Sequence, residues 1–354
     1  MRKYSLMKYL LFVLLIPLAA KSQLVLEATK KIMQYETSNF QIASIIDSFQ
    51  TKNIGSVFLA DQQNTKFIKI NNSADRYFTD LLKKNTPQNT STDTVLLVIK
   101  NLQLIERKSN GSVKGEISLT ISYLSKENYG DVFLISKTSK ALYQRTFGSA
   151  TPSNFENLIA KAFGDNLKYF SDWKNLNLSY HEAFVKSSEV MIKPPYNLNV
   201  NDTIYYGSRP INWKDFSGKP VGSNRYDAAI FANIAFDLEM SIENQILKAY
   251  FTPKVYMVQG MSWVRNSNLS NYSLEHERLH FDIAKIAMNR YVKSVEQINE
   301  LTPEDLQSRV QYEYLEAYRE MNRLQKMYDD ETGHGINQMA QASWRNKIVS
   351  MLKE

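Results

Sequence analysis

The segment "NYSLEHERLHFDIAKIAMNRY" (residues 271–291) contains the pattern H-E-x-x-H, formed by His276, Glu277 and His280. Apolar residues recur beside it at steps of three and four, which predicts an amphipathic helix with a core-facing stripe. That stripe consists of Leu279, Ile283, Ile286 and Ala287. Residues four apart lie on the same face of a helix. The two imidazoles can therefore point at one metal ion.

This spacing suits zinc chemistry. Zinc binds imidazole nitrogen at about 2.0–2.1 Å and lowers the pKa of a water that it holds to about 7. Glu277 follows the first histidine, so its carboxylate can take a proton from that water and pass it to a leaving amine. We expect Glu277 to face an open, wet cleft. The alternative is a solvated helix face with two incidental histidines.

A catalytic zinc site normally has three protein ligands. The chain has four histidines, and His334 lies between Gly333 and Gly335 at a predicted break between two helices. Because zinc favours imidazole nitrogen, we expect His334 to be the third ligand. The alternatives are three acidic residues on the preceding helix. They are Glu313, Glu316 and Glu320.

Tyr328 precedes His334 by six residues. Its phenol could donate a hydrogen bond to the oxyanion of a tetrahedral intermediate, which would make Tyr328 catalytic. The alternative is a core position, because Tyr328 continues the apolar spacing of Met321 and Leu324.

The pattern of residues 201–354, which include the H-E-x-x-H segment, predicts a zincin-like domain. Its strand-like runs indicate a small, mostly antiparallel sheet, and three helices follow, the first of which carries H-E-x-x-H. The second helix has Thr302 as N-cap and Pro303 at its first position. Pro253 cannot donate to a central ladder, so residues 254–264 are expected at the substrate-side edge of the sheet.

Residues 23–180 predict a separate α+β domain of unknown role. Alternating and buried apolar runs indicate strands, and Asn110-Gly111 indicates a hairpin between two of them. Residues 130–148 are expected to form a further strand pair, and residues 152–173 an amphipathic helix. The whole chain is thus expected to be α+β. A polar segment with two prolines, residues 181–200, is expected to be a linker.

Residues 1–22 resemble a cleavable signal peptide. Basic residues precede a twelve-residue apolar stretch, and small residues follow before Gln23. That stretch is shorter than the ~20 residues of a spanning helix. We therefore expect a secreted or periplasmic protein, with no membrane span after cleavage.

Composition narrows the function further. Without cysteine, the chain has no disulfide, lipid-anchor thiol or cysteine-ligated metal. The net charge of +7 would fall to +3 after removal of Arg2, Lys3, Lys8 and Lys21. Such a weak basic excess, without a basic stripe, does not indicate nucleic-acid binding.

The segments "INWKDFSGKPVGS", "LEHERLHFDIAK" and "YDDETGHGINQMAQASW" resemble the bacterial domain-of-unknown-function family 922, described as predicted secreted zinc-dependent proteases. The resemblance covers about residues 185–350. It implies His276 and His280 as ligands and Glu277 as the acid/base. It also marks Tyr328, Thr332 and His334, which lie in the third of these segments, as candidate site residues.

Together these observations predict a zinc metallopeptidase that acts on a peptide or protein substrate. Two alternatives stay open: an envelope binding or scaffolding protein with a structural or degenerate zinc site, and a zinc hydrolase of a non-peptide amide. The sequence predicts neither the cleavage preference nor the oligomeric state.

Overall fold

The structure is a computed structural model in which the chain divides into two compact units, Met1–Leu176 and Asn177–Glu354. It describes residues 23–353 except 29–33, 36, 38, 87–92, 128–129, 197–200, 221–226 and 266–269. Helices and sheets occur in both units, so the predicted α+β class is confirmed. The predicted signal peptide lies outside the described residues. Within those residues, no helix has the length and apolar character needed to cross a membrane.

The first unit is a seven-stranded sheet with two helices. The strands are β1 (Gln23–Leu26), β2 (Gln41–Asp47), β3 (Asn53–Phe58), β4 (Thr65–Ile70), β5 (Thr94–Ser109), β6 (Ser112–Glu127) and β7 (Gly130–Thr146), and the helices are α1 (Ala74–Asn85) and α2 (Pro152–Asn177). The sheet order is β1-β4-β3-β5-β6-β7, with β2 paired to β5. The strand pair predicted over residues 130–148 is instead one long strand, β7.

The predicted hairpin joins β5 to β6. Asn110 and Gly111 form its turn with φ angles of 35° and 76°, a left-handed conformation that these residue types tolerate. In β6, every second residue from Val113 to Ser125 is buried and faces the core of the unit. There Tyr123 stacks on Phe170 of α2, with ring centroids 4.1 Å apart.

The second unit contains the predicted small sheet and three helices. Its elements are β8 (Ser187–Ile192), β9 (Thr203–Tyr205), β10 (Ala228–Ala229), β11 (Ala232–Glu243), β12 (Ile246–Val258), β13 (Trp263–Val264), α3 (Asn271–Val295), α4 (Pro303–Thr332) and α5 (Gln338–Met351). Four strands form a sheet in which β11 and β9 run antiparallel and β8 parallel to β12. Part of the predicted linker, residues 181–200, is therefore strand β8.

The prediction that residues 254–264 form a sheet edge is wrong. β12 lies in the middle of the sheet, between β11 on one side and β8 and β9 on the other. The carbonyl of Pro253 accepts a hydrogen bond from Tyr196 N, so the backbone of Pro253 faces the side of β8 and β9. Along β12, pairing with β8 stops at Phe251 and pairing with β9 starts at Tyr256. The missing N–H of Pro253 thus falls in the gap between β8 and β9. One edge of the sheet is β11, and β8 and β9 form the other.

Local capping sets the helix ends. The side chains of Ser270 and Thr302 accept hydrogen bonds from the third residue beyond them, which satisfies free N–H groups at the start of α3 and α4. Pro303 opens α4, as predicted. Gly333 ends α4 with a φ of 60°, and Asn337 caps α5. These caps leave a tight turn between α4 and α5.

Helix α3 lies between two apolar clusters. One side packs against the sheet, through residues such as Phe281 and Tyr291, which meet Phe251 of β12 in one cluster. The other side packs against α4 and α5, where Leu279 and Ile283 contact a cluster that includes Trp344. With apolar contacts on both sides, α3 is held rigidly enough to position its polar residues.

The loop that follows β9 is tied to α3. Arg278 donates two hydrogen bonds to the carbonyl of Ile211, and the loop itself is braced by the buried carboxylate of Asp215. Asp215 accepts from both terminal nitrogens of Arg209 at 2.7 and 2.9 Å and from Asn212 N at 2.7 Å. Burial alone would raise the pKa of Asp215, but Arg209 and Asn212 N lower it.

Asp215→Asn is expected to reduce the free energy of unfolding by about 1–3 kcal/mol at neutral pH, because it removes a charge-assisted pair and leaves Arg209 without a carboxylate partner. Since the folded pKa is lowered, this stabilisation is present above the ordinary aspartate pKa and is lost as the pH falls through the folded value. Urea unfolding at a series of pH values measures the difference. The matched control is Asp237→Asn, at an exposed carboxylate paired with Lys254. Equal losses in both variants would contradict the prediction.

Candidate metal centre

Helix α3 presents His276 and His280 one turn apart on the same face. Both residues are buried, with 6% and 7% of their surface exposed. Their ring centroids are 4.9 Å apart. This is the arrangement that the i, i+4 spacing predicts, so the structure brings the two expected ligands together.

A carboxylate from α4 completes the group. Asp329 Oδ1 lies 3.3 Å from His276 Nε2 and 3.0 Å from His280 Nε2. The three ligand atoms lie within 4.8 Å of one another, a group able to hold a metal ion. Within the described part of the chain, it is the one group of His, Asp and Glu residues with this property.

Two glutamines hold the other ring nitrogens. His276 Nδ1 lies 3.3 Å from Gln341 Oε1, and His280 Nδ1 is hydrogen-bonded to Gln325 Oε1. Gln341 Nε2 donates to the carbonyl of Tyr272 at 3.3 Å, which fixes the amide so that its oxygen faces the ring. An amide oxygen only accepts, so each Nδ1–H donates to its glutamine. Each Nε2 faces Asp329 and donates to that carboxylate when it carries a proton, which a metal ion would replace.

The charges of the group suit a cation. Burial alone would raise the pKa of Asp329, but the hydrogen bonds of His276 and His280 hold it well below its usual range. Burial alone would lower the pKa of His280, whereas its hydrogen bond to Asp329 and the charge of that carboxylate raise it. Asp329 is therefore ionised throughout the physiological range and attracts positive charge into the site.

Glu277 lies beside the ligands but is buried, with only 6% of its surface exposed. The expectation of an open, wet cleft around it is therefore not met. Its Oε2 accepts a hydrogen bond from Ile230 N at 2.8 Å. The next residue, Phe231, donates from its N–H to Ser262 Oγ at 2.9 Å. The segment that leads into β11 thus holds the carboxylate in one orientation.

Tyr328 is fully buried, and the oxyanion role predicted for it does not fit this position. Its ring stacks on that of His276, with centroids 4.6 Å apart, and packs edge-on against His280 and Trp344. Its hydroxyl donates to the carbonyl of His276 at 3.4 Å. The alternative, a core position behind the ligands, agrees with the structure.

Asp329 occupies the third position that the sequence predicts for His334. The backbone of His334 is left-handed, with a φ of 55°, and its side chain is 40% exposed. Its Nδ1 lies 3.5 Å from Asp329 Oδ1, so it stands beside the group rather than within it. The three alternative ligands lie elsewhere on α4. Glu313, Glu316 and Glu320 form ion pairs with Arg309, Arg319 and Arg290 respectively.

The turn after α4 packs against the site. Thr332 is buried and donates to the carbonyl of Tyr328 at 2.7 Å, while Gly335 N donates to Thr332 Oγ1. A Cβ on Gly335 would lie 3.3 Å from Cγ and Nδ1 of His276, closer than most side chains tolerate. Tyr272 OH also donates to the carbonyl of Gly335 at 2.8 Å. Glycine at this position thus lets the turn cover the His276 ring.

The sequence prediction missed Asp329, Gln325 and Gln341. A usable signal was present, because Asp329 follows Tyr328 directly and stands one helical turn after Gln325, at the end of α4 that meets the glycine turn. The expectation that zinc prefers imidazole directed attention to His334 instead.

Residues 260–335 match the profile of a family described as bacterial protein of unknown function (DUF922). This confirms the resemblance over that segment, which includes α3, α4 and the glycine turn. The wider span of about 185–350 extends beyond the matched residues. No curated protein matches the chain.

Similarity to solved structures is weak. A protein from Xanthomonas campestris, described with family DUF330, shares 8% identity over 44% of this chain and 93% of its own, with a TM-score of 0.25. A minor lipoprotein from Acinetobacter baumannii shares 13% identity over 27% of this chain and 73% of its own, with a TM-score of 0.20. An uncharacterized protein shares 7% identity over 43% of this chain and 98% of its own, with a TM-score of 0.24. Scores this low carry no argument about function.

Proposed function

We propose that the second unit is a zinc-dependent metallopeptidase that works in the periplasm or outside the cell. One observation carries the proposal: the imidazoles of His276 and His280 converge with Asp329 on one point, and Glu277 lies beside them. The location follows from the predicted signal peptide.

The ligand set fits zinc. Ligand atoms around a tetrahedral Zn²⁺ at about 2.0–2.1 Å are separated from each other by about 3.3 Å. The two Nε2–Oδ1 distances, 3.3 and 3.0 Å, are close to that value. Two imidazole nitrogens and one carboxylate oxygen are also a set that catalytic zinc sites use, with a fourth position left open.

Glu277 and Ile230 each have a defined role in this proposal. Bound zinc supplies a Lewis acid that polarises the scissile carbonyl and lowers the pKa of water. Glu277 is the general base, which takes the proton of the attacking water and delivers it to the leaving amine. Ile230 N holds the Glu277 carboxylate by one oxygen, Oε2, so the other oxygen can accept that proton.

The edge strand β11 offers a place for an extended peptide. Among the described strands it pairs with β12 alone, and Ile230, two residues before its start, donates a hydrogen bond to Glu277. A peptide that adds to such an edge gains main-chain hydrogen bonds. We therefore place the substrate along β11, in place of the run 254–264.

A structural metal site is the second candidate, and the burial of the site favours it. Both histidines and Glu277 are less than 10% exposed. In contrast, the side chains of Asp329 and His334 are 27% and 40% exposed, which leaves a side of the group that solvent reaches. A structural site has no use for Glu277, and for that reason we prefer the catalytic proposal.

Metal analysis of the protein without residues 1–22, together with a peptide-library digest, tests the proposal. We expect about one zinc per chain, hydrolysis that a chelator stops, and recovery when zinc is returned. A zinc-loaded protein that cleaves no peptide would support the structural site. An amide of cell-wall type, tested as a second substrate in the same assay, separates peptide hydrolysis from non-peptide hydrolysis. A protein that binds no zinc would contradict both candidates.

A further inference from the structure

One face of α4 holds both nitrogens of His280. Gln325 and Asp329 are four residues apart on this helix, so they project from the same face. Gln325 Oε1 is hydrogen-bonded to Nδ1 of the ring, and Asp329 Oδ1 lies 3.0 Å from Nε2. The imidazole is thereby held at both ends and cannot rotate without losing a hydrogen bond.

His276 is held in the same manner, but by different elements. Gln341 of α5 contacts Nδ1, and Asp329 of α4 lies on the Nε2 side. Gln341 is 1% exposed, and its amide nitrogen is already engaged by the Tyr272 carbonyl. The ring is further confined by the stacked Tyr328. A buried amide with both of its ends engaged keeps one orientation.

We propose that Gln325 and Gln341 are positioning residues that hold the two imidazoles with Nε2 directed at the ion, each acting on one histidine. The physical reason is that a hydrogen bond donated by Nδ1 fixes the plane of the ring and leaves the Nε2 lone pair for the ion. The acceptors here are neutral amides, so the site gains orientation without added negative charge. This inference rests on the proposed zinc site, although the ring orientation exists without an ion.

Zinc affinity, measured by competition with a chelator, tests the inference first. Gln325→Leu and Gln341→Leu should each weaken binding about 10–100-fold, the usual effect of losing such a partner. Gln325→Glu keeps an acceptor oxygen and should restore the affinity. The controls are Gln307→Leu on α4 and Gln338→Leu on α5, both at exposed positions, which should bind zinc as the parent does.

Proton NMR of the metal-free protein gives a second measurement, which needs neither zinc nor activity. Each Nδ1–H should give a slowly exchanging imidazole signal. Gln341→Leu should remove the signal of His276 and keep that of His280, and Gln325→Leu should do the reverse. If both signals persist in both variants, or if both leucine variants bind zinc like the parent, the inference is wrong. If the parent binds no zinc but each leucine variant loses the signal of its own histidine, the zinc site is refuted and the positioning of the rings by the glutamines is supported.

Discussion

Glu277→Gln is expected to lower peptide hydrolysis about 10²–10⁴-fold, the usual contribution of a general base, while zinc stays bound. The amide cannot take the proton of the attacking water. It can still accept the hydrogen bond from Ile230 N through its oxygen, so the buried side chain keeps its partner and the fold should be preserved. Hydrolysis rate, zinc content and melting temperature of the purified variant, each compared with the parent, measure the effect.

The matched control is Glu275→Gln, two residues earlier on α3, where the carboxylate pairs with Arg345 at the surface. That variant should hydrolyse peptides at nearly the parental rate. Undiminished hydrolysis in zinc-loaded Glu277→Gln protein would overturn the metallopeptidase proposal. A variant that has lost zinc as well would show that Glu277 belongs to the ligand set.

Asp329→Asn is expected to weaken zinc binding roughly 100-fold. Structural zinc sites with four ligands bind with about 10–16 kcal/mol, or about 3 kcal/mol for each ligand, and each 1.4 kcal/mol is a factor of ten. The substitution preserves the shape of the side chain but removes the charge that faces both histidines. Titration with zinc in the presence of a competing chelator measures the change.

Asp330→Asn is a closely matched control. Its carboxylate is the next one along α4 but is 59% exposed and pairs with Lys326. His334→Ala provides the opposite test, because the sequence predicts that residue as the third ligand. If His334→Ala loses more affinity than Asp329→Asn, the ligand assignment from the structure is wrong and the sequence prediction holds.

Features with a local cause were predictable from the sequence. Thr302 and Pro303 predict the start of α4 because capping depends on neighbouring residues. The Asn110-Gly111 hairpin depends on two residues. The pairing of His276 with His280 follows from helix geometry alone. In each case the interacting groups lie within a few residues of one another.

Features that depend on packing between elements were not predictable. Asp329 and Asp330 are adjacent and chemically identical, but they point in directions about 100° apart on an α-helix of 3.6 residues per turn. Only the angle at which α4 meets α3 decides which one faces the histidines. The position of residues 254–264 in the sheet was predicted wrongly from Pro253 for the same reason. Its missing N–H is harmless in the middle of the sheet because the neighbouring chain passes from β8 to β9 at that point.

The proposed attachment of one ion to both α3 and α4 would have a further consequence. The chain has no cysteine and therefore no disulfide, and His280 and Asp329 are 49 residues apart in sequence. An ion held between them would act as a reversible cross-link between α3 and α4. A ligand that binds only the folded form stabilises it by about 2.7 kcal/mol when its free concentration is 100 times the dissociation constant. The half-life of this unit in the presence of proteases would then depend on the concentration of zinc in its surroundings. When zinc is scarce, the unit would unfold more often and be degraded faster.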